Sequence, residues 1–146
     1  MKKIKKSIDI NAPKEKVWDV LLNDKFTKIW YSEFAEGAYA ETDWKVGSKA
    51  LFKDNSGSGL IGEVIVNKPA KAISIEYKGL LQKGTEDYES DLAKEFKGKH
   101  ENYYLSEKEG VANLSIECDM PEKEFESMSD AWEKGLQKIK ELSETK

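Results

Sequence analysis

Arginine is missing from this 146-residue sequence; all 24 basic residues are lysine. Without the planar guanidinium fork, no side chain reads a guanine edge or clamps a phosphate bidentately. Asp and Glu outnumber Lys, 28 to 24, for a net charge of −4. With no basic excess, no nucleic-acid partner is expected. Cysteine occurs once, at Cys118, and histidine once, at His100. A lone cysteine closes no internal disulfide, and the pair offers neither a zinc-type ligand set nor a Ser–His relay with a spare histidine. The expectation is no metal, no cofactor and a reducing cytoplasmic setting. No run approaches the ~18 apolar residues of a membrane span. The basic start Met1-Lys2-Lys3-Ile4-Lys5-Lys6 lacks the apolar stretch of an export signal, so no membrane partner is expected either.

Leu, Ile, Val and Phe make up 32 of the 146 residues, just above the level at which chains fail to bury enough to fold. Four Trp, six Tyr and five Phe make up the shortfall, because each ring buries a large area. There is no internal repeat and no low-complexity linker, so one domain over 1–146 is expected.

Ile4, Ile8 and Ile10 share one face of a strand of period two. Asn11-Ala12-Pro13 then opens a helix carrying Val17, Trp18, Leu21 and Leu22 as an apolar stripe. A short helix follows over Lys25 to Tyr31, with Phe26, Ile29 and Trp30. From Gly37 onward the pattern is that of strands: Ala38 to Thr42, Ser48 to Asp54, Leu60 to Asn67 and Ala72 to Tyr77. Gly79 to Lys97 is irregular, with room for a helical turn or two in Glu89 to Phe96, and Lys99 to Ser106 pairs with Val111 to Cys118 as a hairpin. Pro121 starts the clearest element, where Phe125, Met128, Trp132, Leu136, Ile139 and Leu142 recur at steps of three and four. Acidic residues at its start and lysines toward its end suit the helix dipole. Strands joined by short turns imply an antiparallel sheet, and the long helix must bury its stripe on one face of it.

The words Ile8-Asp9-Ile10-Asn11-Ala12-Pro13-Lys14-Glu15-Lys16-Val17-Trp18, Trp30-Tyr31, Glu41-Thr42-Asp43-Trp44-Lys45-Val46-Gly47-Ser48-Lys49 and Gly62-Glu63-Val64, with Trp132 in the last helix, carry a resemblance. The chain resembles the START-like (SRPBCC, helix-grip) superfamily, in the branch of homologues of the activator of the heat-shock protein 90 ATPase. The resemblance runs from about residue 4 to residue 142. It implies an α+β helix-grip fold: a curved antiparallel sheet of about six to seven strands around a long C-terminal helix. Two short helices follow the first strand, and an apolar cavity lies between sheet and helix. It also implies a possible chaperone partner. Eukaryotic co-chaperones of this name carry a separate N-terminal domain, whereas this sequence opens at the first START-like strand, so a stand-alone START-like domain is expected.

Several motif matches lack the context their chemistry needs. Gly57-Ser58-Gly59-Leu60-Ile61-Gly62 has dinucleotide-binding spacing, but an alternating strand follows where that motif needs a helix. It reads as a hairpin. Asp87, Glu89 and Asp91 lack the glycine turn and terminal glutamate of a calcium loop and read as solvated. Cys118 reads as buried and inert. Asn113-Leu114-Ser115 matches a glycosylation sequon in mid-strand, and is coincidence.

The aromatics carry the functional expectation. Trp30, Tyr31, Phe34 and Trp44 fall in loops or at element ends, where such positions in START-like domains often rim the cavity. Tyr77, Tyr103 or Tyr104 are candidates for polar tips in an apolar pocket. Pocket lining and plain packing remain alternatives for each ring. Trp30, Phe34, Trp44, Phe52, Tyr77, Tyr103, Met128 and Trp132 are the candidate ligand-binding residues, and no catalytic residue is assigned. The leading expectation is a cytoplasmic domain binding a small apolar or amphipathic molecule. The alternatives are an enzyme of cyclase, dehydratase or hydrolase type and a chaperone-binding module. The enzyme would need an inward acid or base among Glu63, Glu76, His100 and Glu101.

Overall fold

The structure is a computed structural model that describes residues 1–145. Strand β1 (Lys2–Ile10) leads into helices α1 (Lys14–Leu22) and α2 (Asp24–Trp30) and a 3₁₀ turn (Tyr31–Glu33). Strands β2 (Tyr39–Glu41), β3 (Lys49–Lys53), β4 (Gly59–Lys68), β5 (Ala72–Gln82) and β6 (Thr85–Asp87) follow. Helix α3 (Asp91–Phe96) precedes strands β7 (His100–Lys108) and β8 (Val111–Met120), and helix α4 (Phe125–Glu144) closes the order. Seven strands form one antiparallel path, β1-β8-β7-β5-β4-β3-β2, and β6 attaches to the end of β5. The sheet curls into a half-barrel around α4, the helix-grip arrangement expected from the resemblance.

The curl has a local cause. The β4–β5 ladder shifts register at Ile61/Gly62 and again at Val64/Val66, and each bulge bends the strand and raises its twist. Gly59 matters for a different reason. A Cβ there would stand 1.6 Å from the carbonyl oxygen of Phe52, the backbone of the neighbouring strand. Because that obstacle is backbone, side-chain repacking cannot relieve it. Gly59→Ala is expected to pry open the β3–β4 hairpin and cost about 1–3 kcal/mol, read as a lower denaturation midpoint. A variant as stable as wild type would contradict this strand pairing.

The core lies between the concave face and α4. Ile4, Ile10, Ile73, Ile75, Tyr77, Tyr103, Leu105, Leu114 and Ile116 are buried from the sheet side, and Trp132, Leu136 and Ile139 from the helix. The alternation of β8 is complete from Ala112 through Met120. Gly135 in α4 serves close approach: a Cβ there would touch the Phe34 ring at 3.0 Å.

The differences from the sequence reading are local. The strand at Ala72 continues past Tyr77 to Gln82, because its inward residues run on through Leu80 and Leu81. Helix α2 buries Trp30 but leaves Ile29 exposed, since one turn cannot present both to the core. Pro121 precedes a 3₁₀ turn (Glu122–Glu124), and the α-helix proper begins at Phe125 and has 20 residues. Gly57 to Gly62 forms the β3–β4 turn and the start of β4, as a hairpin reading requires.

Candidate functional site

Between the concave sheet, the α2 end and α4 lies a cavity of about 540 Å³. That size falls in the range typical of small-molecule sites. Trp30, Tyr31 and Phe34 reach it from the α2 end, Phe52 from β3, and Leu80 and Leu81 from β5. Leu92 and Phe96 come from α3, Tyr103 from β7, and Met128 and Trp132 from α4. The rings meet edge to face: Phe34 and Trp132 centroids are 4.8 Å apart, Trp30 and Tyr31 4.4 Å, and Tyr103 and Trp132 5.8 Å. Such contacts fix ring orientation, so the apolar wall is preformed.

Six of the eight candidate residues therefore line the cavity: Trp30, Phe34, Phe52, Tyr103, Met128 and Trp132. Trp44 and Tyr77 do not. Trp44 takes a left-handed backbone at φ 62° and stands behind Phe52, its ring centroid 6.3 Å from that ring. Asn67 Nδ2 donates to its carbonyl at 2.8 Å and holds the turn in place. Tyr77 is fully buried under Phe96 and acts through its hydroxyl. Tyr104 faces solvent, as the alternation with Tyr103 demands.

Of the four inward acid–base candidates, Glu101 reaches the cavity. Glu101 is half-buried, with its carboxyl on the cavity wall. Its Oε1 accepts from the Tyr77 hydroxyl at 2.7 Å and its Oε2 from the Tyr103 hydroxyl. The Cys118 Sγ lies 3.9 Å from Oε1. Burial pushes the Glu101 carboxyl above the usual carboxylate range, against the lowering effect of Tyr103, Tyr77 and Cys118. Burial likewise raises Tyr31, Tyr77 and Tyr103, with the Glu101 charge adding to each. The Cys118 thiol is pushed far up for the same two reasons, so it is an inert thiol as expected. Trp132 Nε1 is buried with no oxygen or nitrogen partner, and the Cys118 sulfur is the weak acceptor beside it.

The other three inward candidates face outward. Glu76 and His100 are cross-strand partners, with His100 Nε2 3.7 Å from Glu76 Oε2. Lys78 Nζ lies 2.7 Å from Glu76 Oε1 and 4.0 Å from Glu63 Oε1. This network is solvent-facing, and the Lys78 ammonium holds Glu76 below its ordinary range. Asp87 accepts from the Glu89 and Ser90 amides and organises the entry to α3, and among the described residues no acidic or Cys/His cluster is arranged to hold a metal.

Helix α3 was the part of the wall least visible in the sequence. Its signal is Ser90, whose hydroxyl accepts from Ala93 N as an N-cap, followed by Leu92 and Phe96 four apart on one face.

The Glu101 shift has a measurable consequence. A carboxyl whose folded pKa exceeds its unfolded value holds its proton more tightly in the native state. Its contribution is present below the unfolded value of about 4.3 and is lost as pH rises through the raised folded value. Glu101→Gln is expected to flatten the decline in stability across that window, measured as denaturation midpoints over a pH series. A decline of unchanged slope would place the titrating charge elsewhere.

A curled antiparallel sheet gripping a C-terminal helix, with two short helices after the first strand, defines a START-like helix-grip domain. The family model of activator of Hsp90 ATPase homolog 1-like protein matches residues 11–144, and the chain belongs to that family. Solved structures share the fold. The Aha1 dimer from Colwellia psychrerythraea is 20% identical with a TM-score of 0.74, covering 99% of this chain and 97% of that one. MLL2253 from Mesorhizobium loti is 16% identical with a TM-score of 0.74, covering 97% and 96%. CalU16 from Micromonospora echinospora is 17% identical with a TM-score of 0.66, covering 97% and 76%. No curated protein matches the chain.

Proposed function

We propose that this chain works as one START-like domain, in the cytoplasm, binding a small apolar or amphipathic molecule between sheet and terminal helix. The observation that carries the reading is the 540 Å³ cavity, walled mostly by aromatic and aliphatic side chains, with Lys53, Asp54, Ser58, Gln82, Glu101 and Glu124 as its polar members. Filling such a space with hydrocarbon removes apolar surface from water on both partners. The polar tips, the Tyr103 hydroxyl and the Glu101 carboxyl, set the orientation of whatever enters. The candidate ligand-contacting residues are Trp30, Phe34, Phe52, Tyr103, Met128 and Trp132, with Tyr77 acting through Glu101.

Titration with the neutral fluorescent probe N-phenyl-1-naphthylamine tests the reading. One saturable site is expected, weakened by Ala38→Trp, which projects a ring from the cavity wall. Absence of saturable binding, together with no molecule retained in native mass spectrometry after gentle purification, would overturn it.

Glu101 also favours a second reading, because a carboxyl with a raised pKa inside a cavity is suited to general acid–base work. Under that reading Glu101→Gln abolishes turnover of a bound molecule while the cavity still fills. The family description supports contact with a chaperone. A pull-down with an Hsp90-type chaperone across a salt series tests that contact, and no complex at low salt would remove it.

A further inference from the structure

The chemistry of the cavity ligand follows from a charge that the protein leaves unanswered. Glu101 accepts hydrogen bonds at both carboxyl oxygens, from Tyr77 and Tyr103, which is how an ionised carboxylate is held. Two hydroxyl donors and the weak Cys118 thiol still leave an acceptor position free, and Glu101 is on the cavity wall. Among the described residues, no lysine or histidine pairs with Glu101. Lys53, also on the wall, is engaged with Glu41 at 3.6 Å, and the remaining wall charges, Asp54 and Glu124, are acidic. A charge partly withdrawn from water is costly unless a counter-charge reaches it. Withdrawal from water raises the Glu101 carboxyl, and only the Tyr103, Tyr77 and Cys118 hydrogen bonds act to lower it. Around the same space stand Trp30, Tyr31, Phe34, Tyr103 and Trp132, whose ring faces attract cations.

We propose that the cavity takes an organic cation, an amphipathic amine whose ammonium group meets Glu101 and whose hydrocarbon body lies along Trp30, Phe34 and Trp132. This rests on the reading of the cavity as a small-molecule site and adds the sign of the ligand's charge. A carboxylate ligand would bring like charge to Glu101. A neutral alcohol would offer one hydroxyl to the same oxygen and no charge to the rings.

Three ligands of equal chain length separate these cases: decylamine, 1-decanol and decanoate, each titrated by calorimetry near neutral pH. Decylamine should bind about tenfold or more tighter than 1-decanol, as charge-assisted hydrogen bonds exceed neutral ones, and decanoate should bind weakest. Glu101→Gln, near-isosteric, should bring decylamine down to the level of 1-decanol. Tyr103→Phe, which removes one hydroxyl from the carboxylate, should change the preference without abolishing it. Equal affinities, or decanoate binding tightest, would overturn the amine while leaving the cavity as a binding site. A full decylamine preference in Glu101→Gln would overturn the role of Glu101. Failure of all three ligands to bind wild-type protein would overturn the amine and the cavity reading together.

Discussion

Trp132→Ala is expected to cost about 3–5 kcal/mol, the range of large aromatic truncations in cores. Trp132 is 2% exposed at the centre of the α4 stripe, with Phe34, Tyr103 and Trp30 packed against its ring at 4.8, 5.8 and 6.0 Å. Removing it enlarges an existing cavity, so the neighbours have little to collapse onto. A typical domain has about 5–15 kcal/mol of stability, so this single change takes a large share and purification itself becomes a test. Trp132→Phe is the more discriminating variant. It keeps much of the volume and gives up an indole N–H that has only the weak Cys118 sulfur beside it, so most stability should survive. If the ring lies against the ligand, Trp132→Phe should change probe affinity more than melting temperature. A Trp132→Ala protein as stable as wild type would mean that α4 docks by another face.

Trp30→Ala is expected to cost a similar amount, about 3–5 kcal/mol, for a partly different reason. Trp30 is 1% exposed, and its Nε1 donates to the Val20 carbonyl at 3.0 Å. Val20 lies in the last turn of α1, where helix carbonyls lose their intrahelical partners. The indole thus caps α1 from the end of α2 and joins the two helices that close the cavity. Trp30→Phe keeps a ring but strands that carbonyl, which should cost about 1–3 kcal/mol. The contrast with Trp132→Phe is sharp, because only the Trp30 indole of the two donates to a backbone carbonyl. Denaturant titration of both variants reads it directly, and equal losses would contradict the capping role. Since the two rings touch, the double alanine variant should depart from additivity by about 0.5–3 kcal/mol.

The elements with a regular period were legible in the sequence. Alternation over Ile4, Ile8 and Ile10 marked β1, and the stripe from Phe125 to Leu142 marked α4, because each period is set by the backbone alone. The Asn55 to Gly59 turn was legible because glycine and small polar residues carry turn geometry locally. Together with the quoted family words, these were enough for the helix-grip fold. The 3₁₀ turn after Pro121, the extension of β5 to Gln82 and strand β6 were not, because short or irregular pieces take their shape from what they pack against.

The site divides the same way. Sequence by itself determined that aromatics were in surplus, that sulfur and imidazole chemistry was nearly absent, and that a handful of strand carboxylates were available. Only the tertiary structure decided which of these residues face inward together. Glu76, His100 and Glu101 lie on neighbouring positions of the β5–β7 ladder, yet one pleat position separates a solvent-facing ion network from a carboxylate on the cavity wall. Trp44 and Phe52 are both aromatic and both near the sheet edge, but the left-handed turn at Trp44 puts it behind the wall that Phe52 forms. A cavity has no period of its own. It is the space left when bulged strands curl around a helix whose residues do not fill it, and that volume depends on contacts between residues as distant in sequence as Trp30 and Trp132.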